Sequence, residues 1–244
     1  MYQDLNQLYD ETIRKIMDEN KQTHSMFIHE LRNPLSLIKG TLQYIEMKHS
    51  DVKEYKYWSQ LFELITDMEH ILTDASLLNS ISTLNIENTN LLGLINVVVE
   101  NYSPRIYSQK KLLTYEPPIE YASILSSYPC DSDKIKQVLS NLLKNALEAT
   151  SEGDFIEIIL SIDSTDTDSM LSIQVYNNGE QIPEDEIDSI FLPFITHKVG
   201  GTGVGLTLAK RIIKAHMGSI HVSSTDKLTG FTILLPLLKT QEAV

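Results

Sequence analysis

The chain has 244 residues, 42% of them hydrophobic, which is enough apolar material to bury one large core or two modest ones. Its 33 acidic and 20 basic side chains give a formal net charge of -13. No block of Lys and Arg is present to bind phosphates, so nucleic acid and anionic membranes are excluded as expected partners. The single cysteine, Cys130, excludes a disulfide framework and a cysteine-based metal site. No apolar run approaches the roughly 18 residues that span a bilayer, and the polar N-terminus is not typical of a signal peptide. The sequence therefore predicts a cytoplasmic protein that makes no membrane contact of its own.

The first 82 residues predict two long helices. Apolar residues recur every three or four positions in two runs, which the polar stretch 48–51 separates. This spacing places the apolar side chains on one face of each helix. The first run includes Met26, Leu31, Leu35, Ile38 and Leu42, and the second includes Leu61, Ile65, Met68 and Leu72. One antiparallel hairpin cannot cover two such stripes, so we expect a homodimer that forms a four-helix bundle.

The pattern changes after residues 79–90, a stretch rich in Ser, Thr and Asn that predicts a linker. The predicted helices that follow are 94–102, 133–149 and 204–216, and the second of them has Asp131 or Ser132 as its cap. The predicted strands are 112–115, 121–125, 155–160, 171–176, 219–223 and 230–235. Such a mixture is typical of an α/β sandwich with helices on one face of a sheet. The whole chain is thus predicted to be α+β, a helical hairpin followed by a sandwich domain.

A histidine followed by a carboxylate stands in the first predicted helix. Glu30 can fix the tautomer of the His29 imidazole and accept its proton, which leaves the far ring nitrogen as a nucleophile. Pro34 removes a backbone donor and so frees the carbonyl of Glu30. The alternative interpretation is a surface histidine with an incidental proline. A zinc site is not expected, because Asn33 occupies the position of the second histidine in a His-Glu-x-x-His pattern.

Two asparagines share one face of the predicted helix 133–149. Asn141 and Asn145 are four residues apart, and their amides can meet phosphate oxygens and a Mg²⁺ ion, which prefers oxygen ligands. Asparagine is slightly unfavourable inside a helix, which favours a functional role. The alternative interpretation is an amphipathic helix whose only role is to pack in the core. The opposite, apolar face of the helix has that role under either interpretation.

A glycine-rich segment leads directly into the predicted helix 204–216. Residues 198–206 read Lys-Val-Gly-Gly-Thr-Gly-Val-Gly-Leu. Glycines allow close backbone approach, and the N-terminus of the following helix attracts phosphate. The segment is neither the dinucleotide fingerprint nor the P-loop.

Taken together and in this order, these segments resemble the sensor histidine kinases of two-component and phosphorelay signalling. The segment around His29 is similar to the family's H box, the helix with Asn141 and Asn145 to its N box, and residues 191–194 to its F box. Residues 201–206 are similar to the second glycine box of the ATP-binding fold shared with gyrase. The resemblance covers about residues 1–237. It implies a dimerisation and histidine-phosphotransfer hairpin at 1–82 and a catalytic ATP-binding domain at 88–244.

The resemblance also implies roles for individual residues. His29 would accept the γ-phosphoryl group of ATP, Glu30 would be its base and orienter, and Asn33 would position the water that dephosphorylates the partner. Asn145 would bind Mg²⁺ and Asn141 would lie near the phosphates. The implied nucleotide-binding residues are Asn141, Lys144, Asn145, Asn177, Gly179, Lys198, Gly201, Thr202, Gly203, Gly205 and Leu206. The implied partners are a second copy of the chain and the receiver domain of a response regulator, whose aspartate takes the phosphoryl group.

One motif departs from the family. The first glycine box usually reads Asp-x-Gly-x-Gly, and its Asp accepts a hydrogen bond from the adenine amino group; here Asn177 replaces the Asp and Gln181 replaces the second Gly. A neutral acceptor is weaker than a charged one. An alternative to the autokinase is therefore a phosphotransferase or phosphatase that works through His29 and Asn33 with a degenerate ATP site. A pure ATP-regulated scaffold is a third alternative, against which the pair His29 and Glu30 argues.

Overall fold

The computed structural model describes residues 2–80, 84–164, 169–196 and 202–237. The chain divides into two compact units, one built mainly of the N-terminal helices and one built around a sheet. This arrangement confirms the coarse prediction of a helical part followed by a mixed α/β domain. Within the described residues, no helix is long and apolar enough to cross a membrane.

The N-terminal unit is a helical hairpin. Helix α1 is Tyr2–Lys48, a short 3₁₀ turn is Ser50–Glu54, and helix α2 is Trp58–Ser80. The Lys39 ammonium lies 2.7 Å from the Glu69 carboxylate, which joins the C-terminal part of α1 to the middle of α2. Near the turn, Trp58 Nε1 donates a hydrogen bond to Glu46 Oε2 at 3.4 Å. These contacts fix the antiparallel pairing that the apolar spacing predicts.

The hairpin buries only part of its apolar surface. Ile28, Leu35, Val52 and Ile65 are buried. Many of their apolar neighbours are exposed, among them Met26, Phe27, Leu31, Leu37, Ile38, Leu61, Leu64 and Met68. The hydrophobic stripe that the sequence predicts is therefore present but is not covered within one copy of the hairpin.

The second unit is organised around a five-stranded sheet. Its strands are β2 Leu112–Tyr115, β4 Phe155–Ser164, β5 Ser169–Asn177, β6 Ser219–Ser224 and β7 Thr229–Leu237, in the order β2-β4-β5-β7-β6. The β2–β4 pair is parallel and all the others are antiparallel. Two short strands, β1 Glu87–Thr89 and β3 Tyr128–Cys130, form a separate antiparallel pair.

Three helices cover one face of this sheet, called here the inner face. They are α3 Leu91–Ser108, α5 Ser132–Ala149 and α6 Gly205–Ala215. Alternate residues of β5, such as Leu171, Ile173 and Val175, are at most 1% exposed, which is the pattern of a strand whose one face packs on helices. Helix α5 packs on β4 and β5, and α6 packs on β6. The core of the unit lies between these helices and the inner face.

The structure corrects two predicted elements. The predicted strand 121–125 is instead the end of a 3₁₀ turn, Ile119–Tyr121, and a short helix α4, Ala122–Leu125. Only Leu125 is buried there, and two prolines precede the segment, so the chain turns on itself rather than joining a ladder. The predicted linker 79–90 contains the end of α2 and strand β1; residues 81–83 of it lie outside the described residues.

Candidate functional site

The site is built on helix α5. Its N-cap is Asp131, whose Oδ1 accepts a hydrogen bond from the Lys134 backbone N–H at 3.0 Å. The helix buries one stripe, which comprises Ile135, Val138, Leu139, Leu142, Leu143, Ala146 and Leu147. Asn141 and Asn145 flank this stripe and are half-buried. A stable amphipathic helix thus holds both amides at the edge of the core.

Asn141 joins α5 to the start of α6. Its Nδ2 donates a hydrogen bond to the carbonyl oxygen of Gly205 at 3.0 Å, and Gly205 is the first residue of α6. A Cβ on Gly205 would lie 3.5 Å from Asn141 Cγ. The structure therefore brings together two segments that the sequence places 64 residues apart.

The segment after β5 folds against the end of α5. The Glu180 backbone N–H donates to the carbonyl of Ala149 at 2.8 Å, and the Phe155 N–H donates to Asn178 Oδ1 at 2.7 Å. A Cβ on Gly179 would overlap the Ala149 carbonyl oxygen. Glycine is needed here because two backbones approach closely.

Asn177 lies at the end of β5 on the inner face. Its side chain follows the same alternation as Ile173 and Val175, and the residue is 2% exposed. Its amide Nδ2 has no hydrogen-bond partner among the described residues. Buried polar groups are nearly always hydrogen-bonded, so this donor fits a site that receives a polar ligand such as a purine base.

Two hydroxyl side chains extend the row that begins at Asn177. Thr229 of β7 is its cross-strand partner, and Ser224 of β6 is the partner of Thr229. Cross-strand partners share a face, so all three lie on the inner face. Ser224 Oγ and Thr229 Oγ1 are 2.6 Å apart, and the Ile182 backbone N–H donates to Ser224 Oγ at 2.9 Å.

The segment before α6 is held by contacts with residues 191–195. The Phe194 N–H donates to the Gly203 carbonyl at 3.0 Å. Gly203 has a φ of 66°, and a Cβ there would lie 2.7 Å from the Ile195 backbone. Thr207 Oγ1 donates to the carbonyl of Phe191 at 2.9 Å. The glycine-rich segment and the start of α6 are therefore tied to the predicted F box.

The remaining predicted ATP-binding residues differ in their exposure, and the structure describes only some of them. Lys144 is exposed on α5, with its ammonium 3.9 Å from the Glu148 carboxylate. Thr202 and Leu206 are half-buried next to Gly203. Lys198 and Gly201 lie outside the described residues, so their predicted roles stay predictions.

The predicted phosphotransfer residues lie on α1. His29, Glu30 and Asn33 are all exposed, between the buried Ile28 and Leu35. Neighbouring helical residues diverge by about 100° around the axis, so the side chains of His29 and Glu30 leave α1 in different directions. His29 is accessible to a reactant, and the roles of Glu30 and Asn33 remain predictions.

Sequence reasoning missed three polar residues around this site, Thr207, Ser224 and Thr229. Thr229 and Thr207 are buried, and all three hydroxyls make the contacts described above. The alternation of β6 and β7 in the sequence could have marked Ser224 and Thr229 as polar residues at inward-facing positions. Only the register of the three strands places them in one row with Asn177.

Comparison with known proteins identifies the class of the sheet unit. Residues 130–239 match the family described as "Histidine kinase-, DNA gyrase B-, and HSP90-like ATPase". The match contains α5, the turn after β5 and α6, which are the elements that carry the site. The second unit is thus an ATPase domain of this class.

Relatives and solved structures narrow the class further. Sporulation kinase D from Bacillus subtilis (strain 168) is 35% identical over 214 residues, covering 86% of this chain and 40% of the relative. The catalytic domain of histidine kinase ThkA is 30% identical with a TM-score of 0.53, covering 63% of this chain and 97% of that domain. The histidine kinase AdeS from Acinetobacter baumannii is 25% identical with a TM-score of 0.56, covering 86% of this chain and 98% of that one.

The chain belongs to the sensor histidine kinases. It spans 40% of the length of sporulation kinase D and 33% of that of sporulation kinase A from the same bacterium.

Proposed function

We propose that this chain transfers the γ-phosphoryl group of ATP to His29 and then to an aspartate of a response-regulator receiver domain. The observation that carries the proposal is the hydrogen bond from Asn141 Nδ2 to the Gly205 carbonyl, which joins the N-box helix to the second glycine box. A chain that assembles these two motifs and also exposes a histidine on a helical hairpin has both components of a histidine kinase.

Several residues are suited to hold ATP. Asn177 would face the purine base, because its amide is buried and has an unused donor. The N-terminus of α6 would attract the phosphates through its first backbone N–H groups. Asn145 would supply an amide oxygen to Mg²⁺, which neutralises charge on the transferring phosphoryl group.

His29 would act as the nucleophile. A neutral imidazole nitrogen attacks the γ-phosphorus, so that a P–N bond forms while the P–O bond to ADP breaks. Glu30 would take the proton that leaves the ring, as a general base acting through one bridging water, because its side chain and that of His29 leave α1 in different directions. In the second step the receiver carboxylate attacks the same phosphorus and His29 is regenerated.

The direct test is incubation of the full chain with γ-labelled ATP and Mg²⁺, followed by measurement of acid-labile label on the protein. His29→Gln should abolish the label. His49→Gln is the matched control, because His49 is also an exposed histidine of the hairpin but has no neighbouring motif. Label that persists on a folded His29→Gln variant would refute the assignment.

The proposal includes a homodimer through the hairpin. The exposed apolar side chains of α1 and α2, such as Met26, Leu37 and Leu64, support a four-helix bundle that two copies would form. Light scattering at micromolar concentration should give twice the chain mass of 27.7 kDa. A monomer under these conditions would contradict the bundle.

A second candidate function is a phosphotransferase or phosphatase without ATP turnover. Asn177 favours it, because a neutral amide stands where the family has a carboxylate. In this case the chain takes no label from ATP but exchanges phosphoryl groups with a phosphorylated receiver or dephosphorylates it.

A further inference from the structure

At one end of the inner face, three adjacent strands carry a row of polar residues, called here the polar row. It consists of Asn177, Thr229 and Ser224. Farther along the strands the same face is apolar, with Val175 and Phe231 forming the next cross-strand pair. Asn177 and Thr229 are 2% and 3% exposed. Of this row, only Asn177 Nδ2 lacks a hydrogen-bond partner among the described residues, and buried donors are rarely left without partners, so this donor fits a polar ligand.

Neither hydroxyl of the polar row determines whether Asn177 donates or accepts a hydrogen bond. Ser224 Oγ accepts from the Ile182 N–H. Between Ser224 Oγ and Thr229 Oγ1 either atom can be the donor, so the hydroxyl of Thr229 can present a donor or an acceptor to its surroundings. The Asn177 Nδ2 is buried without a partner among the described residues.

We propose that Asn177 lets the base pocket accept 6-oxo purine nucleotides as well as 6-amino purine nucleotides. This inference rests on the proposed nucleotide-binding function. A carboxylate can only accept hydrogen bonds, so it serves a 6-amino group and repels a 6-oxo oxygen. An amide carries an acceptor and a donor, and rotation of its plane by half a turn exchanges them.

The two orientations match the two classes of base. With Oδ1 toward the base, Asn177 accepts from the amino group at position 6 of adenine. With Nδ2 toward the base, it donates to the oxygen at position 6 of hypoxanthine or guanine. The adaptable hydroxyl pair of Thr229 and Ser224 opposes neither orientation. The donor that has no partner in the polar row is the one that a 6-oxo purine would use.

The test is calorimetric titration of the full chain with ATP, ITP and GTP in the presence of Mg²⁺. The His29→Gln variant serves as the background, so that no phosphoryl group is consumed. ITP is the cleanest probe, because it differs from ATP only at positions 6 and 1 of the ring and lacks the 2-amino group of GTP. We expect dissociation constants for ATP and ITP that agree within about fivefold, since one neutral hydrogen bond replaces another.

Asn177→Asp should then separate the two nucleotides. We expect it to bind ATP about fivefold more tightly and ITP at least about tenfold more weakly, because a charged acceptor strengthens the first contact and repels in the second. Asn88→Asp is the matched control. It makes the same change at an exposed asparagine of β1 and should leave the ratio of the two affinities unchanged.

The outcomes separate the inference from the proposed function. Binding of ATP with ITP more than about thirtyfold weaker in the unmodified pocket overturns the inference and leaves the proposed function intact. Binding of neither nucleotide overturns the nucleotide site and the inference with it. Binding of ATP and ITP but not GTP supports the inference and limits the pocket to bases without a 2-amino group. The comparison of ATP with ITP needs no change at position 177, so it stands even where Asn177→Asp fails to fold.

Discussion

Asp131 caps α5 and also contacts the segment before β1 and the residue that follows α6. Its replacement should destabilise the ATPase domain more than the replacement of any neighbouring acidic residue. Its Oδ1 caps α5 through the Lys134 N–H at 3.0 Å, and its Oδ2 accepts from the Asn85 N–H at 2.9 Å. Its own N–H donates to Nε2 of His216, just after α6, at 3.0 Å. The residue is 7% exposed, so solvent cannot replace these contacts.

Asp131→Ala removes both side-chain acceptors but keeps the bond to His216. Loss of an N-cap costs about 0.5–2 kcal/mol, and a partly buried N–H left without its partner costs about 1–3 kcal/mol. Relief from burying a carboxylate offsets part of this, so we expect a loss of about 2–3 kcal/mol. Asp131→Asn keeps an oxygen for the cap and places an amide donor near one of the two N–H groups, so it should lose about half as much.

Urea denaturation combined with hydrogen exchange, read peptide by peptide, measures this loss in the region concerned. Faster exchange is expected in β1, β3 and α5. The matched control is Asp133→Ala, which removes a carboxylate that is 92% exposed in the first turn of α5. This control should cost no more than about 1 kcal/mol. If Asp131→Ala destabilises the domain no more than the control does, the network around Asp131 does not stabilise the domain as argued.

Three further predictions concern single positions. Asn33→Ala should slow the dephosphorylation of a phosphorylated receiver more than it slows forward transfer, because the proposed role of its amide is to orient the attacking water; equal decay of the phosphorylated receiver with both proteins would remove Asn33 from the mechanism. Gly179→Ala should lower nucleotide affinity at least about tenfold, because its Cβ overlaps the Ala149 carbonyl and displaces the turn after β5; an unchanged dissociation constant in calorimetry would exclude this displacement. Burial raises the pKa of the Cys130 thiol, so its stabilising contribution is present below the ordinary thiol pKa of about 8.5 and is lost as the pH rises through the folded-state value. Urea midpoints should therefore fall more steeply between pH 8 and 10, an interval of about two pH units around that value, in the wild type than in Cys130→Ala, and parallel curves would show that the thiol is not linked to folding.

The elements that the sequence predicts correctly have strong periodicity. Helix α5 shows one apolar stripe over 18 residues, and β4 and β5 alternate over ten and nine residues. Each pattern is therefore long enough to be recognised in the sequence. The pair β1 and β3 was missed because each strand has three residues, too few to show alternation. In 121–125, the apolar residues are compatible with a strand and with a helical turn, and only the burial of Leu125 distinguishes them.

The candidate site was predictable where its residues are close in sequence. Asn141 and Asn145 share a helix face because they are four residues apart. The bond from Asn141 to Gly205 and the polar row depend on contacts between distant segments, and nothing in the local sequence encodes their geometry. The register of β5, β7 and β6 supplies the row, and the approach of α5 to α6 supplies the bond.

The two residues that differ from the family's first glycine box, Asn177 and Gln181, should affect nucleotide binding to different degrees. Gln181 is exposed, so its side chain can turn toward solvent at little cost. Asn177 is 2% exposed and cannot avoid the inner face. The double variant Asn177→Asp with Gln181→Gly should therefore bind a non-hydrolysable ATP analogue within about twofold of Asn177→Asp alone, as surface positions contribute little. Calorimetric titration of the wild type, both single variants and the double variant decides between them. A gain of tenfold or more from Gln181→Gly would show that the glutamine obstructs the site and that the amide at 177 is not the dominant change.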